Sequence, residues 1–209
     1  MTAPVLHYFD FYARAEVLRI LFVHSKTAFV DHRVAGEEWP QLKASGFSEF
    51  GQLPMVEMDG LKLVQTLAAL RYVGAKVGYV PTDPVLHYQM DSIIQFREDF
   101  RNAVAPFNRS KDMEGMAKYY AENAPRYLGL TETRLKQNRE GAAWLVGETP
   151  TIADIAVFEW LWDHFVRAGR DQFAHYLDAT PVLKAYYDRI LATSPELKAY
   201  YEARPLRPF

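Results

Sequence analysis

The sequence predicts an α/β domain followed by an all-α domain, and three observations carry that prediction. Short apolar strand-like runs alternate with helical patterns up to residue 77. The run "GYVPTDP", Gly78 to Pro84, puts two prolines and a glycine into seven residues and reads as a linker. Beyond it no strand pattern is convincing, only helical periodicity. The expected division is residues 1–77, a linker at 78–84 and a helical domain at 85–209.

"PVLHYF", Pro4 to Phe9, is short and β-rich. "ARAEVLRILFVHS", Ala13 to Ser25, crowds its apolar residues onto one face and is built from helix formers. "AFVDHRV", Ala28 to Val34, alternates as a strand, and "EEWPQLKAS", Glu37 to Ser45, reads as a short helix with acids at its positive end. "LPMVEM" and "LKLV" form a hairpin across Asp59-Gly60, a dipeptide suited to the positive φ that tight hairpin turns require. Gln65 to Val77 completes a β-α-β-α-β-β-α order. In the second domain, helices are expected at Val85–Phe107, at Asp112–Asn138 with a break at Pro125, at Thr151–Ala168, and once or twice in Pro181–Ala203. "TIAD" at Thr151 is a capping box, with hydroxyl and carboxylate each reaching a backbone N–H of the other residue. The run "IAVFEWLW" behind it is apolar nearly all round and predicts a central, buried helix.

Composition narrows the function. Lys and Arg number 24 against 26 Asp and Glu, for a net charge of −2, and the basic residues form no stripe, which excludes an electrostatic nucleic-acid or anionic-membrane binder. There is no cysteine, hence no disulfide, thiolate metal site or protein thiol nucleophile. No apolar run is long enough to span a bilayer, and "MTAPVLHYF" shows no signal-peptide core, so a cytoplasmic protein is expected.

"GQLPMVEMDGLKLVQTLAALRYVG" puts a proline at the mouth of a strand and a polar Gln-Thr pair at the mouth of a helix. The βαβαββα order with that proline resembles the thioredoxin fold, where the proline is cis. Such a turn exposes the N–H and C=O of the preceding residue, Leu53, to a peptide added as an extra strand. Gln65 and Thr66 offer an amide, a hydroxyl and helix N-terminal N–H groups that suit a carboxylate. Together these describe a site for a short peptide with a free α-carboxylate. With an all-helical domain behind it, the whole chain resembles the cytosolic glutathione transferases. The pattern looks most like the sigma class, which includes haematopoietic-type prostaglandin D synthases and S-crystallins. "YFDFYARAEVLRILF", "DHRVAGEEWPQLK", the 51–72 run and "EDF" carry the resemblance, four motifs in the right order.

That resemblance implies a homodimeric enzyme that conjugates glutathione to small hydrophobic electrophiles. It implies that Tyr8 donates a hydrogen bond to the glutathione sulfur and favours the thiolate; a two-unit fall from the free thiol pKa of about 8.5 needs roughly 2.7 kcal/mol. Tyr12 is a rival for that role. Arg14 supports the thiolate electrostatically. Trp39 and Lys43, four apart on one helix face, take the glycyl end. Gln52, Leu53 and Pro54 supply strand-edge contacts, Gln65 and Thr66 take the γ-glutamyl end, and Asp99 reaches the ammonium of the partner's glutathione. Thr66 stands where the family usually has Ser and keeps the hydroxyl. Phe50 sits where other classes carry an interface aromatic. Phe9, Phe107, Trp160 and Phe209 are candidate walls of the electrophile pocket, and each serves equally well as plain packing. The lack of cysteine excludes the glutaredoxin-like branches of the fold. Gln95 replaces an Asp of the synthases' interface carboxylate cluster, and His87 with Asp91 is too small a set for a metal, so no metal is required. Two other readings stay open: a glutathione-dependent prostaglandin endoperoxide D-isomerase, and a non-catalytic, S-crystallin-like or ligand-carrying protein.

Overall fold

The computed structural model describes residues 2–205. The chain divides into two compact units. One runs to Val77 and takes the chain up again at Pro195; the other is Gly78–Ser194. This corrects the expected boundary, because the last helix joins the first unit and not the all-helical one.

The first unit holds a four-stranded sheet of β1 (Val5–Phe9), β2 (Val30–Val34), β3 (Met55–Met58) and β4 (Leu61–Val64), in the order β2-β1-β3-β4. β1 and β2 are parallel, with Val5 opposite Val30 and Tyr8 opposite Arg33. A parallel pair needs a crossover, supplied here by a 3-10 turn (Ala13–Ala15) and α1 (Glu16–His24). β3 runs antiparallel to both β1 and β4. The β3–β4 turn is Asp59-Gly60, at φ 53° and 77°, the left-handed pair expected of that dipeptide. α2 (Trp39–Ala44) and α3 (Thr66–Lys76) complete the βαβαββα order. α1 buries Val17, Leu18, Ile20, Leu21 and Phe22 and packs against α3 and against α9 (Pro195–Ala203).

The second unit begins with α4 (Pro84–Ser110), capped by Asp83, whose carboxylate accepts from the N–H of Val85 and Leu86 at 2.9 Å. α5 (Met113–Lys136) runs unbroken through Pro125, contrary to the expected break. Proline removes a helical hydrogen bond and frees the carbonyl four residues back. Here that residue is Ala121, exposed like Pro125 itself, so water can take the bond. α6 (Ile152–Leu161) is buried on every side and packs on α4 and on α8 (Pro181–Thr193). It stops earlier than expected, passing into a π-helical turn at Trp162–Val166. α7 (Ala174–Asp178) escapes the sequence reading because five residues carry no usable periodicity.

The interior of this unit holds polar groups at specific stations. The capping box of Thr151 and Asp154 is present. His164 is buried and its Nδ1 lies 2.5 Å from the Tyr120 hydroxyl. Burial, reinforced by the neighbouring Arg170, Arg101 and Arg97, holds His164 well below the usual histidine range. In the neutral ring Nδ1 accepts from Tyr120. The unfolded chain therefore binds a proton that the folded one refuses, and stability falls as pH drops below the unfolded value of about 6.5. Urea unfolding is expected to show a loss approaching 1.4 kcal/mol per pH unit between about 6.5 and 5 from this group. His164→Gln, which keeps an acceptor for Tyr120, should flatten that slope.

Candidate active site

Tyr8 lies near the C-terminal end of β1 and is buried. Its ring meets Phe9 at 5.6 Å and Phe11 edge-on at 5.2 Å. The Arg19 guanidinium carbon lies 5.8 Å from the ring centroid, within the range of a cation–π attraction. Arg19 has no exposed surface, pairs with Glu16 at 3.2 Å and Asp31 at 3.1 Å, and donates to the carbonyls of Phe11 and Tyr12 at 3.3 Å. Sequence reading passed over it; the signal was a lone arginine within the apolar run "VLRILF".

The loop after β1 carries Arg14, which is exposed on the 3-10 turn. Ala13 enters that turn at φ 34°, a region that residues with a side chain rarely adopt. Tyr12, the rival hydroxyl, donates to the carbonyl of Pro205, and Arg204 stacks 3.6 Å from its ring centroid.

A second group of site residues gathers at the mouths of β3 and α3. The Leu53–Pro54 bond is cis, and Leu53 sits just ahead of the β1–β3 and β3–β4 ladders, which take in Met55. Gln65 Nε2 donates to Gln52 Oε1 at 3.2 Å. Ser48 Oγ donates to the Gln52 carbonyl at 2.6 Å and steadies that turn. Gln65 has φ 64° and ψ 109°, outside even the left-handed helical basin, and its side chain does not cap α3. Such strain costs of order 1–3 kcal/mol and clusters at ligand clamps. The N–H groups of the first turn of α3 are thereby left for water or a ligand. Thr66 follows, 7% exposed.

Trp39 and Lys43 lie on α2. Trp39 packs edge-on against Phe9 at 5.6 Å, and Phe9 stacks on Phe11 at 5.7 Å, so an aromatic chain runs from Trp39 to Tyr8. Lys43 folds across Gly51: a Cβ built there would lie 3.0 Å from Lys43 Cε, and the φ of 59° itself favours glycine. Sequence reading missed this use of Gly51. Phe50 beside it is 57% exposed.

The remaining candidates belong to the second unit. Asp99 is exposed on α4, next to Glu98, which pairs with Arg97 at 2.8 Å. Phe107 packs on Tyr119 at 6.0 Å. Trp160 is 1% exposed, wedged between Phe100 and Phe165, and is an interior residue of this unit. Phe209 lies outside the described residues.

Comparison with known proteins decides what this arrangement belongs to. The family model described as glutathione S-transferase, N-terminal domain, matches residues 4–75, and that described as glutathione S-transferase, C-terminal domain, matches residues 97–204. The chain belongs to the glutathione S-transferase family. It is 30% identical to the hematopoietic prostaglandin D synthase of Gallus gallus over 90% of this chain and 89% of that protein. It is 32% identical to glutathione S-transferase 1 of Ascaris suum over 83% of this chain and 88% of that protein. Among solved structures, a glutathione S-transferase of the hookworm Necator americanus, described as monomeric, matches with a TM-score of 0.85 and 30% identity over 100% of both chains. The Pi-class glutathione S-transferase of Onchocerca volvulus matches with a TM-score of 0.87 and 26% identity over 97% of this chain and 94% of that one. The glutathione S-transferase fold and enzyme class expected from the sequence thus stand, and the prostaglandin D synthase relatives agree with a sigma-like branch. Among the described residues no helix is long and apolar enough to cross a membrane.

Proposed function

We propose that the first unit binds glutathione, that Tyr8 holds its sulfur as thiolate, and that this thiolate attacks a hydrophobic electrophile. The observation that carries the binding half is the strained Gln65, hydrogen-bonded to Gln52 beside the cis Leu53–Pro54 turn and heading the uncapped α3. A glutathione backbone pairs with Leu53 as an added strand, its γ-glutamyl carboxylate meets Gln65, Thr66 and the helix N-terminus, and Trp39 and Lys43 take the glycyl carboxylate. Tyr8, with Arg19 beside its ring, donates to the sulfur, with Arg14 adding positive field. The protein acts as a homodimer in the cytoplasm, Asp99 meeting the partner's γ-glutamyl ammonium. The exposed Val85 and Tyr88 of α4 and Leu130 of α5 support such an interface.

The test is glutathione binding by calorimetry together with conjugation of an activated aryl halide. Titration of the bound thiol is expected to give a midpoint about two units below 8.5. Binding without turnover would leave a ligand carrier, and no binding would remove the reading. The isomerase reading is favoured by the prostaglandin D synthase relatives, and endoperoxide turnover measured on the same preparation distinguishes it.

Gln65→Gly separates strain from binding. Glycine, lacking a Cβ, adopts φ 64° at lower cost than glutamine but loses more chain entropy on folding, so stability should hold or rise by up to about 1 kcal/mol. The lost amide contact to a charged group should weaken glutathione binding roughly tenfold or more. A denaturation curve and a calorimetric titration of one variant read both.

A further inference from the structure

α9 and the residues after it meet the loop that carries Arg14. Glu16, 2% exposed at the head of α1, is a shared acceptor. It takes the Tyr200 hydroxyl at 2.9 Å, the Arg204 guanidinium, and Arg19 at 3.2 Å. Arg204 also covers the Tyr12 ring, and the Tyr12 hydroxyl donates to the Pro205 carbonyl. The loop from Phe11 to Ala15 is therefore gripped at both ends. Arg19 and Arg33 hold the Phe11 carbonyl, while Tyr200, Arg204 and Pro205 hold Glu16 and Tyr12. Between those grips lies Ala13 at φ 34°, a conformation that persists only where the surroundings enforce it.

We propose that Tyr200, Arg204 and Pro205 are positioning residues, a C-terminal latch that holds the Tyr12–Ala15 turn so that Arg14 and Tyr8 are preset for the glutathione sulfur. This rests on the roles of Tyr8 and Arg14 given above. The latch acts through Glu16 and Tyr12, which bracket Arg14 by two residues on either side. Without it, the turn can relax out of the left-handed conformation at Ala13, and Arg14 loses its direction.

The experiment compares wild type, Arg204→Gln, Arg204→Lys, Tyr200→Phe and Tyr8→Phe. Three readouts are taken: hydrogen exchange of the peptide spanning residues 10–15, the titration midpoint of bound glutathione, and kcat/KM for conjugation. In Arg204→Gln, exchange of that peptide should speed about tenfold while the β3–β4 hairpin is unchanged. The thiol midpoint should rise by about half a unit and kcat/KM should fall about threefold. Arg204→Lys, which keeps a cation for Glu16, should recover part of both. Tyr200→Phe removes one hydrogen bond only and should give a smaller change in the same direction, which keeps the test open if Arg204→Gln does not fold. Unchanged exchange in the loop overturns the latch. Faster exchange with an unchanged midpoint overturns its role in positioning. If Tyr8→Phe leaves the midpoint at the wild-type value, the reading of Tyr8 fails on its own account, and loop exchange still decides the latch.

Discussion

Tyr8→Phe is expected to lower conjugation turnover at pH 6.5 by roughly fiftyfold while glutathione affinity changes little. The substitution removes one hydroxyl and leaves the ring among Phe9, Phe11 and Arg19. If the hydroxyl contributes about 2.7 kcal/mol to the thiolate over the thiol, its loss returns the bound thiol from a pKa of about 6.5 to about 8.5. At pH 6.5 the reactive fraction then falls from about a half to about one per cent. At pH 8.5 wild type is nearly all thiolate and the variant about half, so the deficit should shrink to about twofold. That collapse with rising pH is the signature to look for. A deficit equal at both pH values would mean a hydroxyl acting on something other than thiol ionisation, and no deficit would place the donor elsewhere. Tyr12, whose hydroxyl is engaged by the Pro205 carbonyl, would then be tested next.

Asp154→Ala is expected to destabilise the second unit by about 3–5 kcal/mol, measured as the shift of its urea midpoint at constant slope. Asp154 is 1% exposed and accepts four hydrogen bonds. Oδ2 takes the Thr151 N–H at 2.7 Å and the Thr151 hydroxyl at 2.8 Å; Oδ1 takes the Leu145 N–H at 2.8 Å and the Tyr186 hydroxyl at 2.5 Å. Alanine leaves these buried donors without that acceptor, at about 1–3 kcal/mol for each that finds no substitute. Asp154→Asn keeps the shape but turns an NH2 toward donors, so it should recover little. Tyr186→Phe removes one donor and its need together and should cost only about 1 kcal/mol. An Asp154→Ala cost no larger than that of Tyr186→Phe would show that the carboxylate is not the hub its bonds describe.

Asp154 also marks how far the sequence could be read. Its bond to Thr151 spans three residues and is written in "TIAD"; its bonds to Leu145 and Tyr186 are not, because nothing local names a partner nine or thirty-two residues away. Gln52 and Gln65 divide in the same way. The sequence placed both in one peptide site, but the contact between their amides and the φ of Gln65 follow from packing. Trp160 shows an alternative that the sequence left open. An aromatic on a central helix reads equally as a pocket wall or as core, and burial on every side makes it core of its unit.

The sequence by itself determined the order of the strands and helices of the first unit, the β3–β4 turn, the Thr151 cap and the family motifs. Each of these is set by residues within a few positions of one another, where period, φ preference and hydrogen-bond reach act directly. Only the tertiary structure decided that Arg19 lies against Tyr8, that α5 runs on through Pro125, that Lys43 covers Gly51, and that α9 packs on α1 with Tyr200 and Arg204 on Glu16. The physical reason is that a buried charge must find its partner wherever the fold brings one. Glu16 and Arg19 are only three residues apart, yet what makes their burial tolerable arrives from Asp31, from Tyr200 on the last helix and from Arg204 just beyond it, nearly two hundred residues further along the chain.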